Sequence, residues 1–201
     1  MSHYFENDLF LKHKSRLITY VINDETLTFQ SDSGVFSKKR VDTGSHLLIE
    51  TVLKNPLNGT LLDLGCGIGV IGLTLTYYNP NLKATLIDIN QRAVMLTKQN
   101  AEKLNIASRV KVLINDGLEK ISDMFETIVI NPPIRAGKQI VYQLYNQAQQ
   151  HLKNDGKMYL VVRKNQGSAS TIAYLQTLFT EVNIINRRSG YHIISAEQPR
   201  N

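Results

Sequence analysis

Short apolar runs alternate with helical stretches from Thr60 onward, and this alternation restricts the fold more than any other feature of the chain. Such a pattern predicts a parallel sheet with helices on both faces. Asn79-Pro80 ends one helical stretch, and Asn154-Asp155-Gly156 predicts a turn before the fifth strand. We predict strands over residues 60–64, 84–87, 110–114, 127–130, 157–162, 182–186 and 191–196. The predicted helices cover residues 70–78, 91–104, 139–152 and 168–179.

The segment before this alternation has a different pattern. Residues 17–22 and 27–29 alternate apolar and polar side chains around Asn23-Asp24-Glu25, which predicts a β-hairpin. A helix is expected to follow, with Ser45 or Thr43 as its N-cap. Because 201 residues fit one domain, we predict a single domain over residues 1–201, with a hairpin extension over 1–36 and a core over 37–201.

The stretch Asp63-Leu64-Gly65-Cys66-Gly67-Ile68-Gly69 joins the first predicted core strand to a helix. Glycines lack Cβ atoms and let a ligand lie directly on the backbone, so this loop is a candidate cofactor site. The spacing Gly67-x-Gly69-x-x-Gly72 also satisfies the dinucleotide fingerprint, whose helix N-terminus holds a pyrophosphate. Asp63 favours a cationic ligand such as S-adenosylmethionine instead, because a carboxylate repels phosphate. Its alternative role is structural, as an acceptor of hydrogen bonds from backbone amides.

Two further acids follow the next two predicted strands. Asp88 can accept hydrogen bonds from both ribose hydroxyls of a nucleoside. Asp116, within Asn115-Asp116-Gly117, can accept a hydrogen bond from an adenine amino group, although an Asx turn before glycine explains it as well. Because the carboxyl ends of parallel strands open onto one crevice, we expect Asp63, Asp88 and Asp116 to line the same site.

The stretch Asn131-Pro132-Pro133-Ile134 follows the fourth predicted strand. Its two prolines remove two backbone donors, so the loop presents mainly acceptors, namely the Asn131 side-chain oxygen and the Pro132 carbonyl. Two acceptors can hold both hydrogens of a planar amine and direct its lone pair toward a methyl donor. The alternative is an ordinary rigid turn.

The charge balance favours an anionic partner. The formal net charge is +6, and the basic residues lie in small clusters. A basic balance of this kind is typical of nucleic-acid binding, although a solvated surface is the alternative. No apolar run reaches the roughly 20 residues that a membrane span needs, which predicts a cytoplasmic protein. Cys66 is the single cysteine, and no Cys/His spacing suggests a metal site.

These motifs together resemble those of the class I S-adenosylmethionine-dependent methyltransferases. The segment Val35-Phe36-Ser37, with Asp42-Thr43-Gly44-Ser45 and Leu47-Leu48, narrows the resemblance to the methyltransferase small-domain group. That group includes small-subunit ribosomal RNA guanine-N2 methyltransferases. The resemblance implies a Rossmann-like, seven-stranded, mostly parallel sheet whose last strand is antiparallel. It implies a cofactor site at Asp63, Gly65, Cys66, Gly67, Gly69, Asp88, Ile89, Asn115, Asp116 and Asn131.

The same resemblance implies a catalytic loop at Asn131, Pro132, Pro133 and Ile134, where Ile134 departs from the usual aromatic residue. Phe36 is a candidate for the apolar cover that this departure removes, with a core role as its alternative. The candidate substrate-binding residues are Phe36, Lys38, Arg135, Lys138 and Arg163.

We therefore expect methylation of an exocyclic amine, with guanine N2 of ribosomal RNA as the favoured target. A protein glutamine amide is the second interpretation, because the acceptor loop suits an amide equally well. A non-catalytic RNA-binding module is a third. A nicotinamide-dependent oxidoreductase is disfavoured by Asp63 and by the lack of room for a substrate domain.

Overall fold

The computed structural model of the chain describes residues 15–32, 35 and 40–200. Within these residues the chain forms nine strands and five α-helices. The strands are β1 (Arg16–Ile22), β2 (Glu25–Ser31), β3 (Gly59–Leu64), β4 (Leu82–Asp88), β5 (Val110–Ile114), β6 (Phe125–Ile130), β7 (Leu152–Arg163), β8 (Phe179–Arg188) and β9 (Tyr191–Pro199). The helices are α1 (Thr43–Val52), α2 (Val70–Tyr78), α3 (Gln91–Lys103), α4 (Lys138–Gln150) and α5 (Ser168–Leu178).

Seven of the strands form one sheet in the order β5-β4-β3-β6-β7-β9-β8. The pairs from β5 to β7 are parallel, whereas β9 runs antiparallel to both of its neighbours. The strand order reverses between β3 and β6, and the crevice at such a reversal is where open α/β sheets bind ligands. The predicted sheet, including its antiparallel last strand, is confirmed.

Buried side chains fill both faces of this sheet. Alternate residues of a strand point to opposite faces, so Val129 packs with one cluster while Ile128 and Ile130 pack with the other. The first cluster includes residues of the hairpin, α1, α2 and α3, and the second includes residues of α4 and α5. The same alternation places Asn131, directly after β6, on the side of α1.

The predicted β-hairpin is present as β1 and β2, which pair antiparallel. Its inward side chains, such as Tyr20 and Phe29, belong to the same buried cluster as α1. Tyr20 Oη lies 3.0 Å from His46 Nδ1, and this contact joins the hairpin to that helix. The hairpin is thus packed as part of the main core. The division at residue 36 stays a prediction.

Two local predictions are wrong. The N-cap of α1 is Asp42, not Thr43 or Ser45: Asp42 has extended backbone angles, and its Oδ1 accepts from the Ser45 amide at 3.0 Å. Asn154-Asp155-Gly156 does not form a turn before β7, because pairing with β6 extends back to Leu152 through a register shift. Tertiary pairing with a neighbouring strand has overridden the local turn preference here.

Within residues 15–32, 35 and 40–200, we find no helix that combines the length and the apolar character of a membrane span. Those same residues contain no group of three or more His, Cys, Asp or Glu side chains placed to hold a metal ion.

Candidate active site

The glycine loop leaves β3 beside the end of β6. The register pairs Leu64 with Ile130, so Gly65 and Asn131 follow at neighbouring positions on the sheet edge. Gly65 and Gly67 have φ of +76° and +56°, and a Cβ added to either would meet nothing within 4 Å. Their backbones therefore face open space. The loop is anchored to β4, because Gly65 N and Cys66 N both donate to Ile87 O at 2.9 Å.

Asp88 shapes this loop from the end of β4. Its Oδ2 accepts from Gly67 N and its Oδ1 from Asn90 N, both at 2.8 Å. Burial raises the pKa of Asp88, although the backbone hydrogen bonds, which include one from Ile89, oppose the rise. Each carboxylate oxygen has further lone pairs, so the predicted ribose contact remains compatible with these bonds.

Asp63 is almost fully buried, with 1% of its surface exposed. Its Oδ2 accepts from Gly72 N at 2.7 Å, which ties β3 to α2, as the structural interpretation expected. Gly72 is required for this contact, because an added Cβ would lie 2.9 Å from the Asp63 side chain. Oδ1 is buried without a hydrogen-bond partner. A buried, unpartnered acceptor beside an open glycine loop fits a ligand that carries positive charge.

The ionisation of Asp63 makes the stability of the free protein depend on pH. Burial raises the pKa of Asp63 from its usual 3.8 to about 7, with the Asp88 carboxylate adding to the rise and the Gly72 amide opposing it. The folded state therefore keeps a proton that the unfolded state releases, and stability is lost as pH rises from about 4 to 7. Asp63→Asn removes this titration. Between pH 5 and pH 8 the free energy of unfolding of the wild type should therefore fall by roughly 1 to 3 kcal/mol relative to that of the variant.

Urea unfolding at the two pH values measures this difference. Asp155→Asn, at an exposed position near the opposite end of the sheet, is the control and should behave as the wild type. A wild-type protein whose stability changes with pH in the same way as that of Asp63→Asn would contradict the assignment.

Cys66 and Asn115 have local roles in the structure. Cys66 is buried, and burial raises the pKa of its thiol, so it lines the loop as a small side chain. Asn115 Nδ2 donates to Gly117 O and Glu119 O at 3.1 and 2.8 Å, which closes the turn after β5. Asp116 lies in that turn with its side chain exposed. Its adenine contact stays a prediction.

The Asn131-Pro132-Pro133-Ile134 loop forms a tight turn. Pro133 has φ −76° and ψ 74°, and Ile134 N donates to Pro132 O at 2.9 Å, which is an inverse γ-turn. The Pro132 carbonyl therefore already accepts one hydrogen bond. Ile134 packs against the α4 and α5 side of the core, on the opposite face from Asn131.

Asn131 has a partner that its sequence neighbourhood does not reveal. Its Nδ2 donates to Ser45 Oγ at 2.9 Å, across 86 positions of sequence. Ser45 itself is buried in the first turn of α1. No hydrogen bond among the described residues engages Asn131 Oδ1, so this oxygen is available as an acceptor.

The described basic candidates lie at the carboxyl ends of β6 and β7. Arg135 and Lys138 follow β6, and Arg163 ends β7; all three side chains are exposed. Arg163 Nε donates to Tyr191 Oη at 2.8 Å, and its guanidinium lies 4.9 Å from the ring centroid. Lys138 Nζ lies 5.1 Å from the Tyr142 ring centroid. Phe36 and Lys38 lie outside the described residues.

Comparison with known proteins gives one family. The sequence model of the methyltransferase small domain matches residues 26–195. The chain is 39% identical over 198 residues to a Bacillus subtilis (strain 168) protein named "Uncharacterized protein YbxB", with 98% of each chain covered. It is 34% identical over 181 residues to ribosomal RNA small subunit methyltransferase C of Buchnera aphidicola subsp. Cinara cedri (strain Cc), covering 87% of this chain and 50% of the relative.

A solved structure has the same fold over nearly the whole chain. It is the T. thermophilus 16S rRNA N2 G1207 methyltransferase (RsmC) in complex with AdoMet and guanosine, at a TM-score of 0.82 and 24% identity. The match covers 92% of this chain and 50% of that one. The chain thus spans about half the length of these relatives named for ribosomal RNA methylation.

Proposed function

Because the chain belongs to the methyltransferase small domain family, we propose that it transfers a methyl group from S-adenosylmethionine to an exocyclic amine, guanine N2 of small-subunit ribosomal RNA. The register of β3 and β6 carries this proposal. It places the open glycine backbone at Gly65 directly beside Asn131, so a cofactor on one loop faces an amine on the other.

The residues of the glycine loop fit this cofactor. S-adenosylmethionine supplies a methyl group on a positively charged sulfur and carries no phosphate. Gly65 and Gly67 leave space for a ligand against the backbone, and Asp63 adds an unpartnered acceptor nearby. Asp88, whose oxygens accept from the Gly67 and Asn90 amides, offers its remaining lone pairs to ribose hydroxyls. A pyrophosphate would meet the carboxylates of Asp63 and Asp88, which disfavours a nicotinamide cofactor.

Asn131 would orient the substrate amine that receives the methyl group. Its Oδ1 is an acceptor with no partner among the described residues, because Nδ2 is the atom bonded to Ser45. Accepting an amine hydrogen there turns the nitrogen lone pair toward the methyl group and stabilises the positive charge that develops on the nitrogen during transfer. The amine then loses its proton to solvent, so no strong base is required.

An RNA substrate is supported by the relatives' names and by the basic residues at this edge. The Buchnera relative and the T. thermophilus structure are both named for methylation of small-subunit ribosomal RNA. Arg135 and Lys138 follow the end of β6, as Asn131 does, and Arg163 ends the neighbouring strand β7, so exposed positive charge near the loop is available for phosphates that flank a target base. We place the enzyme in the cytoplasm with its substrate.

The direct test is methyl transfer by the wild-type protein. Labelled S-adenosylmethionine is incubated with small-subunit ribosomal RNA, and separately with small ribosomal subunits, from cells that lack the protein. We expect label in N2-methylguanine of the RNA, measured by nucleoside mass spectrometry. Label in glutamine of a ribosomal protein would instead establish the amide interpretation. Calorimetric binding of NAD but not of S-adenosylmethionine would overturn the whole proposal.

The basic residues predict a salt dependence. RNA affinity should fall steeply as salt rises, and Arg163→Ala or Arg135→Ala should each lower the slope of log K against log salt by about 1, since each removes about one phosphate contact. Lys83→Ala is the control, because Lys83 is exposed at the start of β4, at the opposite edge of the sheet. If both arginine variants and Lys83→Ala keep the slope of the wild type, these arginines do not belong to the RNA interface.

A further inference from the structure

The orientation of the Asn131 amide decides whether it can serve as an acceptor. An asparagine amide presents an oxygen on one side and an NH2 group on the other, and half a turn about its terminal bond exchanges them. A substrate amine needs the oxygen. With the NH2 group in its place, two donors would face each other. A contact that holds the amide in the productive orientation would therefore favour methyl transfer.

Ser45 is the residue in contact with the opposite side of that amide. Its Oγ accepts from Asn131 Nδ2 at 2.9 Å. In this arrangement the hydroxyl accepts from the nitrogen and leaves Oδ1 as the free end. The hydroxyl could hold the turned amide by donating to Oδ1, but that amide would set its NH2 group against the hydrogens of the substrate amine. Because Asn131 follows β6 on the α1 face of the sheet, the contact joins the acceptor loop to the first turn of that helix.

The position of Ser45 is itself fixed. Its backbone amide donates to Asp42 Oδ1 at 3.0 Å, and 6% of its surface is exposed. The next turn of α1 is anchored by Leu47, Leu48 and Ile49, each with at most 1% of its surface exposed. On the other side, the ring of Tyr191 lies so close to Gly44 that an added Cβ would be 3.0 Å from it. The hydroxyl therefore sits on a rigid support.

We propose that Ser45 is a positioning residue, which holds the Asn131 amide with its oxygen directed to the amine that receives the methyl group. The proposal rests on the methyl transfer proposed above. In this role Ser45 acts through Asn131. Its removal should leave the fold intact, because the helix cap uses the Ser45 backbone and not its side chain.

A kinetic comparison separates orientation from a general structural role. Ser45→Ala should lower single-turnover methyl transfer about tenfold, the effect of a hydrogen bond worth about 1.4 kcal/mol, with unchanged S-adenosylmethionine affinity. In the Asn131→Asp background the same change should cost less than about twofold, because either carboxylate oxygen accepts and no orientation is needed. A tenfold loss in both backgrounds would overturn the proposal.

Thr51→Ala is the matched control on the same helix. Thr51 is buried, and its hydroxyl donates to Leu47 O at 2.6 Å and accepts from Asn186 Nδ2 at 2.8 Å, with no contact to Asn131. This variant should lose stability and keep the wild-type transfer rate. A Thr51→Ala rate as low as that of Ser45→Ala would mean that α1 matters only as a support.

A measurement without substrate tests the contact on its own. The side-chain NH2 signals of Asn131 are identified in the NMR spectrum by their absence from Asn131→Ala. In the wild type one Nδ2 proton should be shifted and protected from exchange with water, and Ser45→Ala should remove both effects. Unchanged signals in Ser45→Ala would overturn the proposal even if the protein methylates RNA. Changed signals would support it even if the wild type transfers no methyl group to RNA, an outcome that would refute only the proposed function.

Discussion

Asn131→Ala is expected to lower single-turnover methyl transfer by about a hundredfold while S-adenosylmethionine binds as in the wild type. The expected loss is that of one preorganised polar contact to a transition state. Asn131 Oδ1 is the side-chain acceptor that the β6 turn places beside the glycine loop, and the neighbouring Pro132 carbonyl is already engaged by Ile134 N. Losing Oδ1 would leave the substrate amine without orientation, whereas the cofactor contacts proposed for Gly65 and Asp88 would remain.

Asn131→Asp gives a sharper result, because a carboxylate still accepts hydrogen bonds. Its negative charge would lie at the edge that also carries Asp63 and Asp88, so some activity should survive, at a level between the wild type and Asn131→Ala. Asn154→Ala is the control: Asn154 is exposed on β7 near the opposite edge, and its loss should leave transfer unchanged. If Asn131→Ala and Asn131→Asp both methylate at the wild-type rate, this loop is only a rigid turn.

The order of elements could be read from the sequence because each carries its own period of apolar residues. Strands over 60–64 and 110–114 and the helix over 70–78 agree with the structure to within a residue. The family followed from motifs at strand ends, and the match over residues 26–195 confirms it. These features are local, since a strand, a glycine turn and a helix start leave their marks within a few residues.

The connections between distant segments could not be read in the same way. Thr43 and Ser45 are the caps expected from the sequence, but the path of the chain selects Asp42, which leaves the Ser45 hydroxyl for Asn131. A pairing across 86 positions leaves no periodic signal in one sequence. The contacts of Asn100 could not be predicted for the same reason, because in the sequence it looks like any polar residue of an amphipathic helix.

Asn100 joins the glycine loop to the hairpin from the last turn of α3. Its Oδ1 accepts from Gln30 N at 2.6 Å, and its Nδ2 donates to Gln30 O at 3.1 Å and to Ile68 O at 2.9 Å. The residue has no exposed surface. One amide therefore pairs with three backbone groups in two separate segments.

Asn100→Ala is accordingly expected to destabilise the protein by roughly 3 kcal/mol, because buried donors and acceptors lose their partners. It should also weaken S-adenosylmethionine binding, since Asn100 would no longer hold the Ile68 carbonyl and, with it, the loop that carries Gly67. Denaturant unfolding and calorimetry measure the two effects.

Asn79→Ala distinguishes the loop effect from a loss of stability alone. Asn79 is also buried, and its amide accepts from Leu57 N at 2.8 Å and donates to Leu75 O at 2.7 Å. It lies at the far end of α2 from the glycine loop. This variant should be destabilised by a similar amount and bind the cofactor as the wild type does. If both variants lose the same affinity, cofactor binding depends on overall stability, and the link from Asn100 to the glycine loop carries no part of it.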